Sequence, residues 1–196
     1  MTQAIAHAQI YAARRARLAA QLGDGGVAII PTAPEHARNR DSDFPYRHDS
    51  YFYYLTGFTE PNAWLVLDAT GRSTLFCQPK DLEREIWDGY RLGPDAAVAA
   101  LGVSAAVSVV ELDKQLPKLL ENQHTVWYPF ATHKGLETRV DGWLNAVRVR
   151  VRFGVQCPAQ QRDACGPLDE MRLIKDAHEQ DVMRRASTIS AHAHIR

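Results

Sequence analysis

The stretch Arg40-Asp41-Ser42-Asp43-Phe44-Pro45-Tyr46-Arg47-His48-Asp49-Ser50-Tyr51-Phe52-Tyr53-Tyr54-Leu55-Thr56-Gly57-Phe58 is the part of the chain best suited to chemistry. Ionisable groups alternate with rings, and such a mixture builds a cleft wall: aromatics bury the apolar part of a ligand while charges orient it. The plain alternative is a structural corner, with Arg47 and Asp49 paired and the rings in the core. Glu83-Arg84-Glu85-Ile86-Trp87-Asp88-Gly89-Tyr90-Arg91-Leu92-Gly93 offers a second possibility. Trp87, next to a flexible glycine, can project from a helix end and serve an interface, or lie in the core.

The familiar catalytic patterns are missing. No GxSxG, P-loop or GxGxxG occurs. His36, His48, His124, His133 and His178 form no HExxH or similar set, and His192 and His194, two apart on a helix, face different sides. Gly23-Asp24-Gly25-Gly26 precedes a strand and so is no phosphate cradle.

The chain has 196 residues with 45% hydrophobic and 23% charged side chains, which excludes a disordered or fibrous class. Lys plus Arg and Asp plus Glu both number 23, so there is no basic excess of the kind nucleic-acid binding uses. The clusters Arg14-Arg15-Ala16-Arg17 and Arg148-Val149-Arg150-Val151-Arg152 read as a solvated helix face and the polar side of a strand. No apolar run is long enough for a membrane span, and Met1 to His7 lacks the pattern of a signal peptide. The cysteines Cys77, Cys157 and Cys165 fit neither a disulfide framework nor a zinc site, which points to a reducing cytoplasm.

The elements that must position these residues follow from periodicity and turn chemistry. Helices are predicted over Ala8 to Leu22, Asp81 to Tyr90, Pro94 to Leu101, Leu112 to Glu121, Leu136 to Val147 and Leu168 to Lys175. Strands are predicted over Val27 to Ile30, Tyr51 to Thr56, Ala63 to Leu67, Ser73 to Cys77, Ala106 to Val110, Thr125 to Tyr128 and Val149 to Val155. Thr32 to Ser50 is a long loop. The Tyr51, Ala63 and Ser73 strands read as an antiparallel meander. Strands alternating with helices indicate an α/β domain around a mixed sheet. Residues 156–167 read as a linker. Asp176 to Glu179 resembles a capping box that opens a last helix with the apolar stripe Val182, Ala186, Ile189 and Ala193. Residues 1–155 are thus expected as one domain and 168–196 as the beginning of a second, the rest of which is absent.

Four words of this sequence, in order and spacing, resemble bacterial aminopeptidase P. They are Arg40 to Arg47; Phe52 to Pro61; Glu85 to Gly89 with Arg91 to Ala96; and Asp169 to Lys175. The resemblance implies a creatinase/prolidase-like N-terminal domain, a ribonuclease H-like mixed sheet flanked by helices. The first helices of a pita-bread metallopeptidase domain would follow it. It implies a manganese-dependent enzyme that removes the N-terminal residue preceding proline. The two Mn²⁺ ions of the parent would be held by residues beyond position 196, so no metal is expected on this chain, which would be non-catalytic. Trp87 matches a tryptophan that in tetrameric members looks toward a neighbouring subunit's active site. Asp41 matches an acid near the substrate's end of the cleft, and Arg152 an arginine lining the same region. Proline-containing peptides and further copies of the chain are the partners implied, with no nucleic acid and no membrane. The other readings are a stand-alone binding or assembly module and a prolidase or creatinase relative.

Overall fold

The computed structural model describes residues 2–195, and the side chains of 8–195. Met1 and Arg196, and the side chains of the segment Met1 to His7 that lacks a signal-peptide pattern, lie outside the described residues.

The first compact unit runs to Cys165. Its elements are α1 (Thr2–Ala19), β1 (Gly26–Pro31), α2 (Ser50–Thr56), β2 (Trp64–Asp68), β3 (Ser73–Cys77), α3 (Leu82–Asp88), α4 (Gly93–Leu101), β4 (Ala105–Ser108), α5 (Leu112–Leu120), β5 (Thr125–Tyr128), α6 (Leu136–Val149) and β6 (Gln160–Asp163). The sheet order is β4-β3-β2-β1-β5-β6. Only β2 is antiparallel to its neighbours, β1 and β3; the remaining pairings are parallel.

Central strands covered on both faces read as unbroken apolar runs, and β1 is buried along its whole length. Alternation then divides the core. Val27, Ile29, Val66, Phe76 and Val126 pack with Leu116 and Leu120 of α5 and with Val140, Trp143 and Leu144 of α6. Ala28, Ile30, Leu65, Leu67 and Leu75 are buried toward the opposite face, which α1, α2 and α4 cover. The result is a mixed sheet flanked by helices on both sides.

Four expectations are corrected. Tyr51 to Thr56 is not a strand but α2, and β1 takes its place in the meander. Aromatic β-propensity is weak against capping. Asp49 accepts a hydrogen bond from the Phe52 amide, and Gly57 closes the helix at φ 67°. A Cβ at Gly57 would also collide with the Tyr11 ring. Val149 to Val155 is not a strand either. α6 runs on to Val149 and a single 3₁₀ turn, Val151–Phe153, follows.

The third correction concerns Arg14 and Arg15, which are buried rather than solvated. Arg14 donates to the Tyr54 carbonyl at 3.2 Å and lies 4.2 Å over the Tyr54 ring. Arg15 donates to the carbonyls of Leu55 at 2.9 Å and Leu101 at 3.2 Å, and to that of Gly102. Two cations on α1 therefore serve the C-terminal ends of α2 and α4, where unpaired carbonyls and the helix dipole attract positive charge.

The fourth is the expected linker. β6 lies within 156–167 and hydrogen-bonds to β5, so the first unit extends to Cys165 instead of ending at 155. Its four residues are all exposed and polar, which suits an edge strand and leaves no hydrophobic period to read.

The second unit begins at Gly166. It holds nearly all of α7 (Cys165–Leu173) and the whole of α8 (Ala177–Ile195). The capping box forms as expected: the Glu179 amide donates to Asp176 at 2.9 Å, and the Asp176 amide donates to Glu179 at 3.0 Å. No residue of α8 is buried.

Candidate functional site

Because β1, β3 and β5 run in the same direction, the segments that follow them emerge at one end of the sheet. Crevices outside the carboxyl ends of strands are where open α/β sheets bind ligands. Two clefts lie there, on either side of Asn62, which lines both.

The loop over residues 32–49 forms the shared wall. Its base is pinned by the Thr32 hydroxyl, 2.8 Å from the Tyr46 hydroxyl and accepting from the Asp49 amide at 3.3 Å. Its tip is a turn organised by the Asn39 side chain, which accepts from the amides of Asp41 and Ser42 at 3.0 and 2.9 Å. Below the tip, Ala37 bridges Asp43. Arg47 does not pair with Asp49; it donates to the His48 carbonyl at 2.6 Å and to Ser50, while Asp49 caps α2. His48 stacks on Tyr53 with centroids 4.2 Å apart, and burial together with the Arg47 charge lowers its pKa.

The first cleft, of about 650 Å³, lies between this loop, residues 59–62 and α3. It is acidic: Glu35, Asp43, Glu60, Asp81 and Asp88 line it against Arg84 and Arg91. Glu60 accepts from the Leu92 amide at 2.7 Å through one oxygen, and its other oxygen is buried without a hydrogen-bond partner. Burial pushes the Glu60 carboxyl up. The turn beyond α3 is tied down by charge. Lys80 sits 2.6 Å from Glu85 and 3.9 Å over Tyr90, Glu85 accepts from the Arg91 amide, and Arg91 pairs with Asp88 at 2.9 Å. The Lys80 hydrogen bond holds the Glu85 carboxyl low.

α3 has an Asp81 N-cap, accepting from Glu83 and Arg84, and none of its residues is buried. Leu82, Ile86 and Trp87 are exposed, Trp87 at 84% of its surface. Three large apolar side chains on one seven-residue helix are thus left uncovered.

The second cleft, of about 460 Å³, lies between residues 31–36 and the segment 132–139 that leads into α6. Trp64 lines it, with the Arg139 guanidinium 4.6 Å over its ring. His133 stands 3.7 Å from Asp49, beyond hydrogen-bond range, and its Nε2 is buried without a hydrogen-bond partner.

The expected site residues are placed unevenly. Asp41 is exposed at the loop tip and Trp87 is exposed on α3, on the two sides of the first cleft. The side chains that line it are their near neighbours Asp43 and Asp88. Arg152 is not brought to them. It follows the far end of α6, whose 14 residues span about 20 Å, and so lies at the opposite end of the sheet. Sequence reasoning missed Glu60 and His133. The signal for Glu60 was an acid directly before Pro61 and the apolar run of β2; His133 carried none.

Among the described residues, no group of three or more His, Cys, Asp or Glu side chains could hold a metal ion. The described residues therefore offer no place for a paired-manganese donor set, which the resemblance sets beyond position 196. No described helix is long and apolar enough to cross a membrane.

A family model described as aminopeptidase P, N-terminal domain, matches residues 11–127. The chain is 40% identical over 192 residues to the Xaa-Pro aminopeptidase of Escherichia coli K12, covering 96% of this chain and 44% of that protein. It is 36% identical over 186 residues to the Xaa-Pro aminopeptidase of Haemophilus influenzae, covering 93% and 41%. Among solved structures, Pseudomonas aeruginosa aminopeptidase PepP aligns with a TM-score of 0.93 at 41% identity, covering 96% of this chain and 43% of that one. Aminopeptidase P from E. coli with the inhibitor Pro-Leu aligns at 0.91 and 40%, covering 96% and 44%. The chain spans less than half the length of these relatives.

Proposed function

The chain belongs to the aminopeptidase P family, and on that premise we propose that it is the N-terminal portion of a manganese-dependent Xaa-Pro aminopeptidase, a cytoplasmic enzyme acting on proline-containing peptides. The observation that carries this reading is the alignment of nearly the whole chain, at about two-fifths identity, with the N-terminal part of such enzymes. In this reading the chain itself is non-catalytic and holds no metal; the paired manganese ions have their ligands elsewhere in the parent. The chain's part is to shape the approach to the active site and to join subunits.

Two features support that division of labour. The loop tip carrying Asp41 is held by its own Asn39 turn, so an exposed carboxylate is presented at a fixed place, suited to the charged end of a peptide. α3 presents Trp87, Ile86 and Leu82 outward, the kind of aromatic and aliphatic anchor on which subunit contacts depend. Arg152, remote from both within this chain, contributes through a contact with another part of the parent. The test is hydrolysis of an Xaa-Pro dipeptide by the pure chain with Mn²⁺. No turnover above a metal-only blank is expected, and clear turnover would overturn the non-catalytic assignment.

A second reading, a stand-alone assembly module, is favoured by one observation: Val182 and Ile189 of α8 are exposed. Self-association of the chain that is abolished by Ile189→Glu would support it.

A further inference from the structure

The two clefts differ in sign. The chain as a whole is neutral, yet the first cleft collects five carboxylates, and among the described residues lining the second there is no Asp or Glu. The second cleft is lined instead by Lys134, Arg139, His36 and His133. We propose that it is a binding site for a carboxylate on a flat apolar body, either a small organic acid or the C-terminal end of a peptide.

The side chains divide the work. Arg139 is already engaged: its guanidinium holds Asp113 at 2.9 Å and lies 4.6 Å from the Trp64 ring and 5.2 Å from that of Trp143. It therefore fixes Trp64 in place as a rigid wall. Lys134 and His36 are exposed and stand on opposite walls, one on the segment after β5 and the other on the loop after β1. An anion between them meets one full positive charge and one imidazole donor. α6 contributes little to this field, since Glu137 stands in its first turn and the Leu136 amide already donates to the His133 carbonyl at 3.1 Å; the charge at the cleft is carried by Lys134. Trp64, Pro34 and Leu136 supply the apolar surface. Lysine also binds phosphate as a point charge, but a phosphate dianion gains most from forked guanidinium groups and nothing from an apolar wall. One ammonium beside an aromatic wall suits a monocarboxylate better. The volume, about 460 Å³, lies in the range of small-molecule sites.

This inference does not rest on the peptidase reading, and its test uses no turnover. The chain is titrated with phenylacetate and with phenylacetamide, and separately with N-acetyl-prolyl-phenylalanine and its C-terminal amide, while backbone amide resonances are followed. At least one carboxylate is expected to saturate, to shift the resonances of residues 32–36 and 132–136, and to bind about tenfold or more tightly than its amide. The free acid and the peptide acid report separately which source the site prefers. Lys134→Ala should weaken binding about fivefold or more with an unchanged thermal midpoint. Equal binding of acid and amide, shifts mapping elsewhere, indifference to Lys134→Ala, or no saturation at millimolar concentrations would each overturn the proposal.

Discussion

Arg15 donates to the carbonyl of Leu55 at 2.9 Å, forty residues further along the chain, and the same guanidinium reaches the end of α4. One side chain from the first helix thus closes two later ones. Burial lowers its pKa to about 10, which leaves it charged at neutral pH.

Removing that charge leaves buried carbonyls without partners. Arg15→Ala is expected to cost about 2–4 kcal/mol. Arg17→Ala, on the exposed side of the same helix, should stay within about 0.5 kcal/mol. Chemical denaturation of the two variants side by side provides the check, and equal losses would remove Arg15 from this role.

Asp49 is the N-cap on which α2 depends. Asp49→Ala should cost about 1 kcal/mol, while Asp49→Asn, which keeps an accepting oxygen, should recover most of it. Denaturation midpoints of the pair decide the matter.

These two cases show where the sequence was legible and where it was not. The helices over Leu112 to Glu121 and Leu136 to Val147, the strand over Val27 to Ile30 and the Asp176–Glu179 box were all readable, because local pattern and final structure agree. Tyr51 to Thr56 was misread because strand-prone aromatics mask a helix set by its two caps. Arg14 and Arg15 look like ordinary surface charges; only the folding of α2 and α4 against α1 buries them. β6 has no apolar pattern at all and exists because β5 offers it an edge. The loop around Asp41 and the exposure of Trp87 were visible as candidates, whereas the opposite signs of the two clefts come from residues far apart in sequence.

Burial holds the Glu60 carboxyl above its ordinary value of 4.5. The folded state then keeps this proton longer than the unfolded chain as pH rises. Glu60 therefore makes stability fall as pH climbs from about 4.5 through the raised pKa. Glu60→Gln removes that slope while keeping an acceptor for the Leu92 amide. The two proteins should be alike near pH 4, and the variant the more stable near pH 7. Thermal midpoints across this range test the sign.

Burial pushes the Cys77 thiol up to about 12, whereas Cys157 and Cys165 are only partly covered. A thiol reagent at pH 8 should label those two first and reach Cys77 only on unfolding. Mass spectrometry of the labelled sites reads this directly.

If α3 forms the subunit contact, Trp87→Glu should lower the association state seen in sedimentation. The fold should be nearly unaffected, since the side chain is 84% exposed. Unchanged association would remove α3 from that role.

The central claim, that this chain is the N-terminal portion of a larger peptidase, is tested most directly by the mass of the polypeptide carrying it in its cell of origin, detected with an antibody against residues 8–165. A species more than twice 22.0 kDa is predicted, since the chain spans 44% of the E. coli relative. A single species at 22.0 kDa would contradict it.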